Sequence, residues 1–488
     1  MKLVRLIENL NTIEIKGNLK IDINGIAYNS NEAKDKYIFV AIDGLKKDGN
    51  QYIKAAISKG AKVIVTSRDI VAPEDITVIK VKDTRIALSC LSAAFYGESS
   101  KALELIGITG TNGKTTTTYF VKSILDACNL NTSLIGTIGT IISGRHSYSS
   151  YTTPESLELH EMFNSMVQEK VDACVMEVSS HAIGLSRVDH CSFNIGVFTN
   201  LTHEHLDFHG NMENYYNTKK QLFYKTKDFN ILNIDDPYGI RLAKEIFHNG
   251  AKLLTYGINN AADITADNIA IYESFSECTI NTPDESTIVR IKHPGIYNIY
   301  NALAAVACGY ALGIDLEYIK EGLEAVTKVP GRFELIPTNR NINIIIDYAH
   351  TPDGFEKVLG TINKFYEGRK IIVFGCVGER DCTKRRVMGE IAEQYCDLCV
   401  LTTDNCRSED PKKIIDDIKQ GFKNGSSSYV EILDRAEAIR HAILHSIDRD
   451  TIIITGKGHE HRQIIGNSVM DFNEKEIIKR ALEEISLQ

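Results

Sequence analysis

Apolar positions along this chain gather into short dense runs, and the runs alternate with segments of helical period. In the first hundred residues the runs are YIFVAI (37–42), AKVIVTS (61–67) and ITVIKV (76–81), followed by the helically spaced DTRIALSCLSAAFYG. This pattern predicts a small α/β unit over 1–100, with YGESSKA (96–102) as a linker. From 101 to 329 the strand LELIGIT leads through a Gly-rich loop into the helix TTTTYFVKSILDAC. DACVMEV (172–178), FNIGVFTN (193–200), FNILNI (229–234) and AKLLTYG (251–257) follow. Strands this uniformly apolar are buried on both faces, which predicts a parallel sheet covered by helices.

Residues 262–292 alternate more strictly and predict an antiparallel addition, and HPGIYNIYNALAAVACGYALG predicts a turn and then a helix. From 330 to 488 the theme repeats with INIIIDYA, RKIIVFGC, LCVLTTD and DTIIITG, each ending in a polar or Gly-rich loop. The expected fold class is thus α/β in three domains, 1–100, 101–329 and 330–488. The central sheet is doubly wound and mostly parallel, and the C-terminal domain is Rossmann-like. In such sheets ligands sit at the carboxyl ends of the strands, which directs the search for chemistry to those loops. GSSS (425–428) is a short turn.

Charge and composition remove several functional classes. At 488 residues, with 43% hydrophobic and 24% charged positions, the chain is ordinary globular material for two to four cores. A net charge of −9 without a basic run argues against nucleic-acid or anionic-membrane binding. No apolar run approaches the roughly 20 residues of a membrane helix. MKLVRLIENLNTIEI scatters charges among its apolar residues and has no signal-peptide core, so a cytoplasmic protein is expected. The 11 cysteines then read as reduced thiols. Cys396 and Cys399 lack a second half-site for zinc and read as buried core thiols.

Three strand ends carry the candidate chemistry. Gly110-Thr111-Asn112-Gly113-Lys114-Thr115-Thr116 has only two residues between its glycines, too few for the commonest phosphate loop. The physics survives the shortening: inward N–H groups, a helix N-terminus and the Lys114 charge all favour phosphate, and the Thr115 hydroxyl suits Mg²⁺. Glu177 ends an apolar strand, where an unpaired carboxylate is unfavourable unless it is bound or bonded. TNLTHEHLDFHG clusters His203, Glu204, His205, Asp207 and His209. It falls one residue out of register with a dinuclear-zinc motif, and a solvated turn is the plain alternative. Taken together, the three loops predict an ATP–Mg²⁺ site.

GTNGKTT, TTPES (152–156), MEVSSHA, TNLTHEHLDFHG, NIDD (233–236), HPGIYNIYNALAA, PGRFE, DYAHTPDG and GKGHE (456–460) occur in one order across all three regions. In this the sequence resembles the Mur ligase family, the ATP-dependent amide-forming enzymes of peptidoglycan assembly. TTPES, SSHAIGLSRV, RSEDP and GKGHE are most similar to the members that add a third amino acid to UDP-N-acetylmuramoyl-L-alanyl-D-glutamate, often meso-2,6-diaminopimelate. The resemblance implies an acyl-phosphate route with ATP and two Mg²⁺ ions, and a catalytic set of Lys114, Glu177, His205 and Lys219. Thr115 and Glu177 would hold one ion, and His205 and Lys219, as a carbamate, the second; Lys220 is the adjacent alternative by register.

The resemblance further places Asn298 and Asn301 near adenine, Arg332 near the phosphates and Asp347 near ribose. Ser30, Thr152, Thr153, Ser179 and Arg187 would meet the UDP-linked acceptor. Arg380, Asp404, Asn405, Arg407, Gly456 and Glu460 would meet the incoming amino acid. The implied partners are small molecules only, with no nucleic acid and no membrane insertion, and the chain is expected to be a monomer.

Departures from the family pattern lie away from the ATP core: Cys406 replaces a proline, Val377, Glu379 and Arg386 differ, Tyr151 replaces asparagine, and Asn29-Ser30-Asn31 replaces D-S-R. They leave open a ligase for L-lysine or another diamino acid, or one with a variant acceptor. An alternative of another class is a P-loop ATPase or regulatory nucleotide-binding protein without ligase chemistry.

Overall fold

The computed structural model describes residues 1–44, 47–148, 151–246, 250–423 and 427–486. Three α/β units follow one another along the chain, built on sheets of 5, 11 and 6 strands. The turn expected at 425–428 falls partly outside the described residues.

In the first unit Gly25–Ala27, Tyr37–Val40, Val63–Thr66 and Thr77–Val81 pair in parallel, and Thr12–Lys16 closes one edge antiparallel. The helix Thr84–Phe95 starts at Asp83, whose side chain accepts from the N–H groups of Arg85 and Ile86. The expected linker is a correction. Residues 99–102 form a short 3-10 helix, and Ser99 and Ser100 are buried against the central unit. Ser100 Oγ accepts from Ser192 N, so this stretch is a packed joint and not a free tether. Tyr28 donates to Glu158 at 2.6 Å and adds a second tie between the two units.

The central sheet has seven parallel strands and antiparallel strands at both edges. Glu104–Thr109 lies at its middle, flanked by Ala173–Glu177 on one side and Phe193–Phe198 on the other. The chain leaves this strand in one direction and later returns on its other side, so the crevice beyond Thr109 is the switch point of the sheet. The antiparallel addition expected over 262–292 is met in part: Ile264–Ile271 joins the sheet parallel to Lys252–Gly257, and only Ser276–Asn281 and Ser286–Ile291 add antiparallel beyond it. The hairpin of Gly139–Ile142 and Arg145–Ser147 forms the other edge.

The helices Lys114–Ala127 and Ile296–Ala311 cover one face and bury Phe120, Ile124, Ile299 and Leu303 among the sheet residues. Cys174, Leu159 and Phe163 fill the opposite face. The third unit orders its parallel strands as Asn343–Asp347, Thr451–Thr455, Lys370–Phe374, Leu398–Leu401 and Ser428–Glu431. Cys396 and Cys399 are buried in its core, as expected.

Candidate functional site

The shortened glycine loop is held open from beneath by the neighbouring strand end. Thr111 N donates to Asn200 O and Asn112 N to Asn200 Oδ1, both at 2.9 Å. Thr199 Oγ1 donates to Asn112 O at 2.7 Å. Gly113 sits at φ +87°, and a Cβ there would come within 2.3 Å of Asn301 Oδ1, so both conformation and space require glycine. Directly behind it begins the 14-residue helix Lys114–Ala127, whose free N–H groups face the loop.

Two amines converge on one carbonyl under this loop. Lys114 Nζ donates to Gly110 O at 2.9 Å, and Lys219 Nζ donates to the same oxygen at 2.7 Å. Lys219 is only 1% exposed, on the inner face of the helix Met212–Lys220, with Tyr215 beside it. Burial, and then the Lys114 charge, push its pKa well below the ordinary lysine value. Burial also lowers Lys114, with Glu177 opposing. Lys220, the alternative by register, points away and pairs with Glu245 at 3.0 Å.

Glu177 is 1% exposed at the end of its strand, its oxygens accepting from Thr137 N at 2.8 Å and Thr137 Oγ1 at 2.9 Å. His205 adopts φ +57° at the head of a short helical turn, and its buried Nδ1 has no hydrogen-bond partner. Burial and the neighbouring His181 hold it well below the usual histidine pKa, so the imidazole is neutral and ligand-competent. Among the described residues no three His, Cys, Asp or Glu side chains could hold a metal by themselves. The donor set still suits Mg²⁺, which takes one or two protein oxygens and completes its shell with phosphate and water. The acids and the orphaned imidazole therefore fit that ion in the presence of a nucleotide.

Two cavities open on either side of the loop. One, of about 310 Å³, is lined by Gly113, Thr116, Asn298, Asn301, Arg332 and Asp347, with Tyr297 and Lys357. The other, of about 390 Å³, is lined by Lys114, Thr115, Thr152, Glu177, Ser179, Arg187, His205, Arg332 and Arg380. Arg332 belongs to both, donates to Thr115 Oγ1 at 3.0 Å and lies over the Tyr348 ring. Asp347 lines the first cavity, but both its oxygens are already taken by the N–H groups of Phe333 and Ala349. Burial raises its pKa, with Arg332 opposing.

The expected acceptor residues divide. Thr152 and Ser179 border the second cavity, and Ser179 also caps a short helix by accepting from Ala182 N. Thr153 is fully buried and donates to Glu177 O, so it braces the loop and offers no side chain to a ligand. Arg187 reaches the cavity already ion-paired with Glu155 at 2.9 Å and stacked on Tyr151, the residue that departs from the family pattern. Ser30 is buried in the first unit and borders neither cavity.

The amino-acid set also divides. Asp404, Asn405, Gly456 and Glu460 follow the strands Leu398–Leu401 and Thr451–Thr455, which flank Lys370–Phe374, and they cluster together, whereas Arg407 is held through its backbone N–H to Ile464 O. Arg380 instead faces the cavity lined by Lys114 and Glu177, where it donates to Asp207 at 3.1 Å. Tyr348 connects the two groups, with its ring on Arg332 and its hydroxyl 3.5 Å from Glu460 Oε1. Sequence reading passed over Tyr348, Thr199, Asn200 and Asp353. Of these, Tyr348 and Asp353 lay inside the quoted DYAHTPDG, where only Asp347 was given a role.

Comparison with known proteins agrees with this geometry along the chain. Residues 22–96 match the Mur ligase family catalytic domain, 108–309 the Mur ligase middle domain and 331–458 the Mur ligase glutamate ligase domain. A UDP-N-acetylmuramoyl-L-alanyl-D-glutamate–2,6-diaminopimelate ligase from Caldanaerobacter subterraneus subsp. tengcongensis is 46% identical over 484 residues, 99% of each chain.

The chain belongs to the Mur ligase family.

A second ligase of the same name, from Alkaliphilus oremlandii, is 45% identical over 477 residues, covering 98% of each chain. A solved structure of another such ligase superposes with a TM-score of 0.70 at 26% identity, over 100% of this chain and 99% of that one. The glycine loop, Glu177, His205 and Lys219 all fall within the segment that matches the Mur ligase middle domain.

Proposed function

We propose that this Mur ligase joins meso-2,6-diaminopimelate to UDP-N-acetylmuramoyl-L-alanyl-D-glutamate with cleavage of ATP to ADP and phosphate. The observation that carries the proposal is full-length similarity, at 46% and 45% identity, to two ligases of that activity, in a chain that keeps the phosphate-loop residues assembled. A carboxylate oxygen of the D-glutamyl end attacks the γ-phosphorus, and the bond to ADP breaks to give an acyl phosphate. The amine of the incoming amino acid then attacks the acyl carbon. The carbon–oxygen bond to phosphate breaks, and the amine proton passes to solvent or to the departing phosphate.

The chain's own groups have defined parts in this sequence. The loop N–H groups and Lys114 bind the phosphates, and Arg332 orients them from the third domain. Asn298 and Asn301 flank the adenine side. Thr115 and Glu177 are the residues to hold one Mg²⁺, with His205 and a carbamylated Lys219 for the second. The metal supplies charge neutralisation between two anions that must meet. Carbamylation needs a neutral amine, which the lowered pKa of Lys219 provides. It would also relieve the crowding of two lysine nitrogens on Gly110 O.

Residues 1–100 would carry the uridine end, 101–329 the nucleotide and 330–488 the amino acid. The enzyme would act on small molecules in the cytoplasm as a monomer. The direct test is phosphate release with the UDP-linked dipeptide, ATP and a panel of diaminopimelate, lysine, ornithine and lanthionine. Release that needs acceptor, ATP and diaminopimelate together is the expected result. ATP hydrolysis indifferent to acceptor and amine would point instead to a nucleotide switch.

A further inference from the structure

The buried cation at the centre of the amino-acid cluster has no part in the scheme above. Lys457 lies between Gly456 and Gly458, in the loop that leaves the strand Thr451–Thr455, and is fully buried. Its Nζ donates to Glu460 Oε2 at 2.9 Å and to Asn405 Oδ1 at 3.1 Å, and lies 3.8 Å from Asp404 Oδ1. Asn405 Nδ2 donates in turn to the same Glu460 oxygen at 3.0 Å. Three of the six residues expected to meet the amino acid therefore converge on one ammonium group. The adjoining backbone is equally tight: a Cβ on Gly456 would come within 2.6 Å of Asp404 Oδ2.

Charge balance gives this arrangement a direction. Asp404 and Glu460 bring two carboxylates and Lys457 one ammonium, so the cluster keeps one uncompensated negative charge. Asp404 is 2% exposed, whereas the Glu460 side chain is 30% exposed and borders a separate cavity of about 300 Å³. The excess charge is thus displayed at Glu460, where it suits the ammonium end of an amino acid. Without the lysine, the two carboxylates would repel across a poorly solvated loop, and Glu460 would swing toward water.

We propose that Lys457 is a positioning residue for amino-acid recognition: it fixes Asp404, Asn405 and Glu460 in one geometry and sets the charge that the cluster presents. This rests on the reading of the chain as an amino-acid-adding ligase, and it assigns Lys457 no contact with ATP or with the acceptor.

The test uses the full-length enzyme and three measurements. Phosphate release gives KM for meso-diaminopimelate, ATP and acceptor; ADP–ATP isotope exchange with acceptor but no amino acid reads acyl-phosphate formation alone; thermal unfolding reads folding. In Lys457→Met the KM for diaminopimelate should rise at least about tenfold, from loss of the paired geometry. KM for ATP and acceptor, and the exchange rate, should stay within about twofold of wild type. Lys457→Arg, which keeps the charge, should recover part of the lost affinity. If Lys457→Met does not fold, Lys457→Gln, which retains a donor without the charge, is read in the same way.

A folded variant with unchanged KM for diaminopimelate overturns the proposal, as does a parallel rise for all three substrates. Wild-type enzyme that uses no diamino acid would instead remove the functional reading and this inference with it. Active wild type with indifferent variants removes the inference alone.

Discussion

At the residue scale, burial separates two neighbouring lysines that the sequence could not tell apart. Lys219 and Lys220 are adjacent, and only helix phase makes one 1% exposed under the glycine loop while the other pairs with Glu245. Lys219→Ala should lower phosphate release by at least about a hundredfold, the scale of a lost electrostatic stabiliser. Formate or acetate should restore part of it by filling the vacated space with a carboxylate. Lys220→Ala should retain near-normal rates, and full activity in Lys219→Ala would remove the carbamate role. Gly113 allows a second prediction. At φ +87°, with Asn301 Oδ1 in the path of a Cβ, Gly113→Ala should cost about 1–2 kcal/mol in backbone strain, beyond any displacement of Asn301. A raised KM for ATP and a lower unfolding midpoint would register it.

At the scale of elements, the strands were legible because burial on both faces makes them uniformly apolar, and helices such as Thr84–Phe95 and Lys114–Ala127 because of their helical spacing. Asp83, ahead of Thr84–Phe95, and Thr351, ahead of Pro352–Phe365, both cap as their residue types suggest. The joint at 96–102 was misread because Gly, Glu and Ser resemble a tether, while the partners that bury Ser99 and Ser100 lie far along the chain. Thr153 was misjudged for a related reason: its motif position was clear, but its inward direction depends on the packing around Glu177.

One half-buried helix makes a pH prediction. His160, on Ser156–Gln168, is fully buried with neither ring nitrogen bonded, and burial lowers its pKa to about 4. The unfolded chain therefore binds this proton more tightly than the folded one, so stability is intact above the unfolded histidine pKa of about 6.5 and declines as pH falls toward 4. By pH 5 the loss from this group should be on the order of 2 kcal/mol. Urea unfolding at pH 7 and pH 5 measures it. His160→Phe, which keeps an aromatic ring beside Phe163, should flatten that part of the pH dependence whatever it does to absolute stability.

At the scale of the whole molecule, the second and third units are held together by polar contacts around the glycine loop and the cavity beside Lys114. Asn112 donates to Asp353 at 2.7 Å, Arg332 to Thr115, and Arg380 to Asp207. His203 lies 2.9 Å from Asp381, and Lys384 lies 3.4 Å from Glu204. These are not equivalent. His203 is more than half exposed and Arg380 a third exposed, so salt screens both pairs, whereas Lys384 and Glu204 are nearly buried and persist. Closure therefore depends most on the Asn112–Asp353 bond and the Lys384–Glu204 pair, neither of which sequence motifs could place across a gap of more than 170 residues. Combining Asp353→Ala with Lys384→Met should let the third unit swing away in the absence of ligand. Small-angle X-ray scattering would then show a larger radius of gyration than wild type, and ATP with acceptor should reduce the difference if the nucleotide engages Arg332 as proposed. The same variant should show a raised KM for ATP, since Asn298 of the second unit and Asp347 of the third line one cavity that separation of the units would open. An unchanged radius of gyration would transfer the closing role to Arg332, whose guanidinium already spans the two units at Thr115.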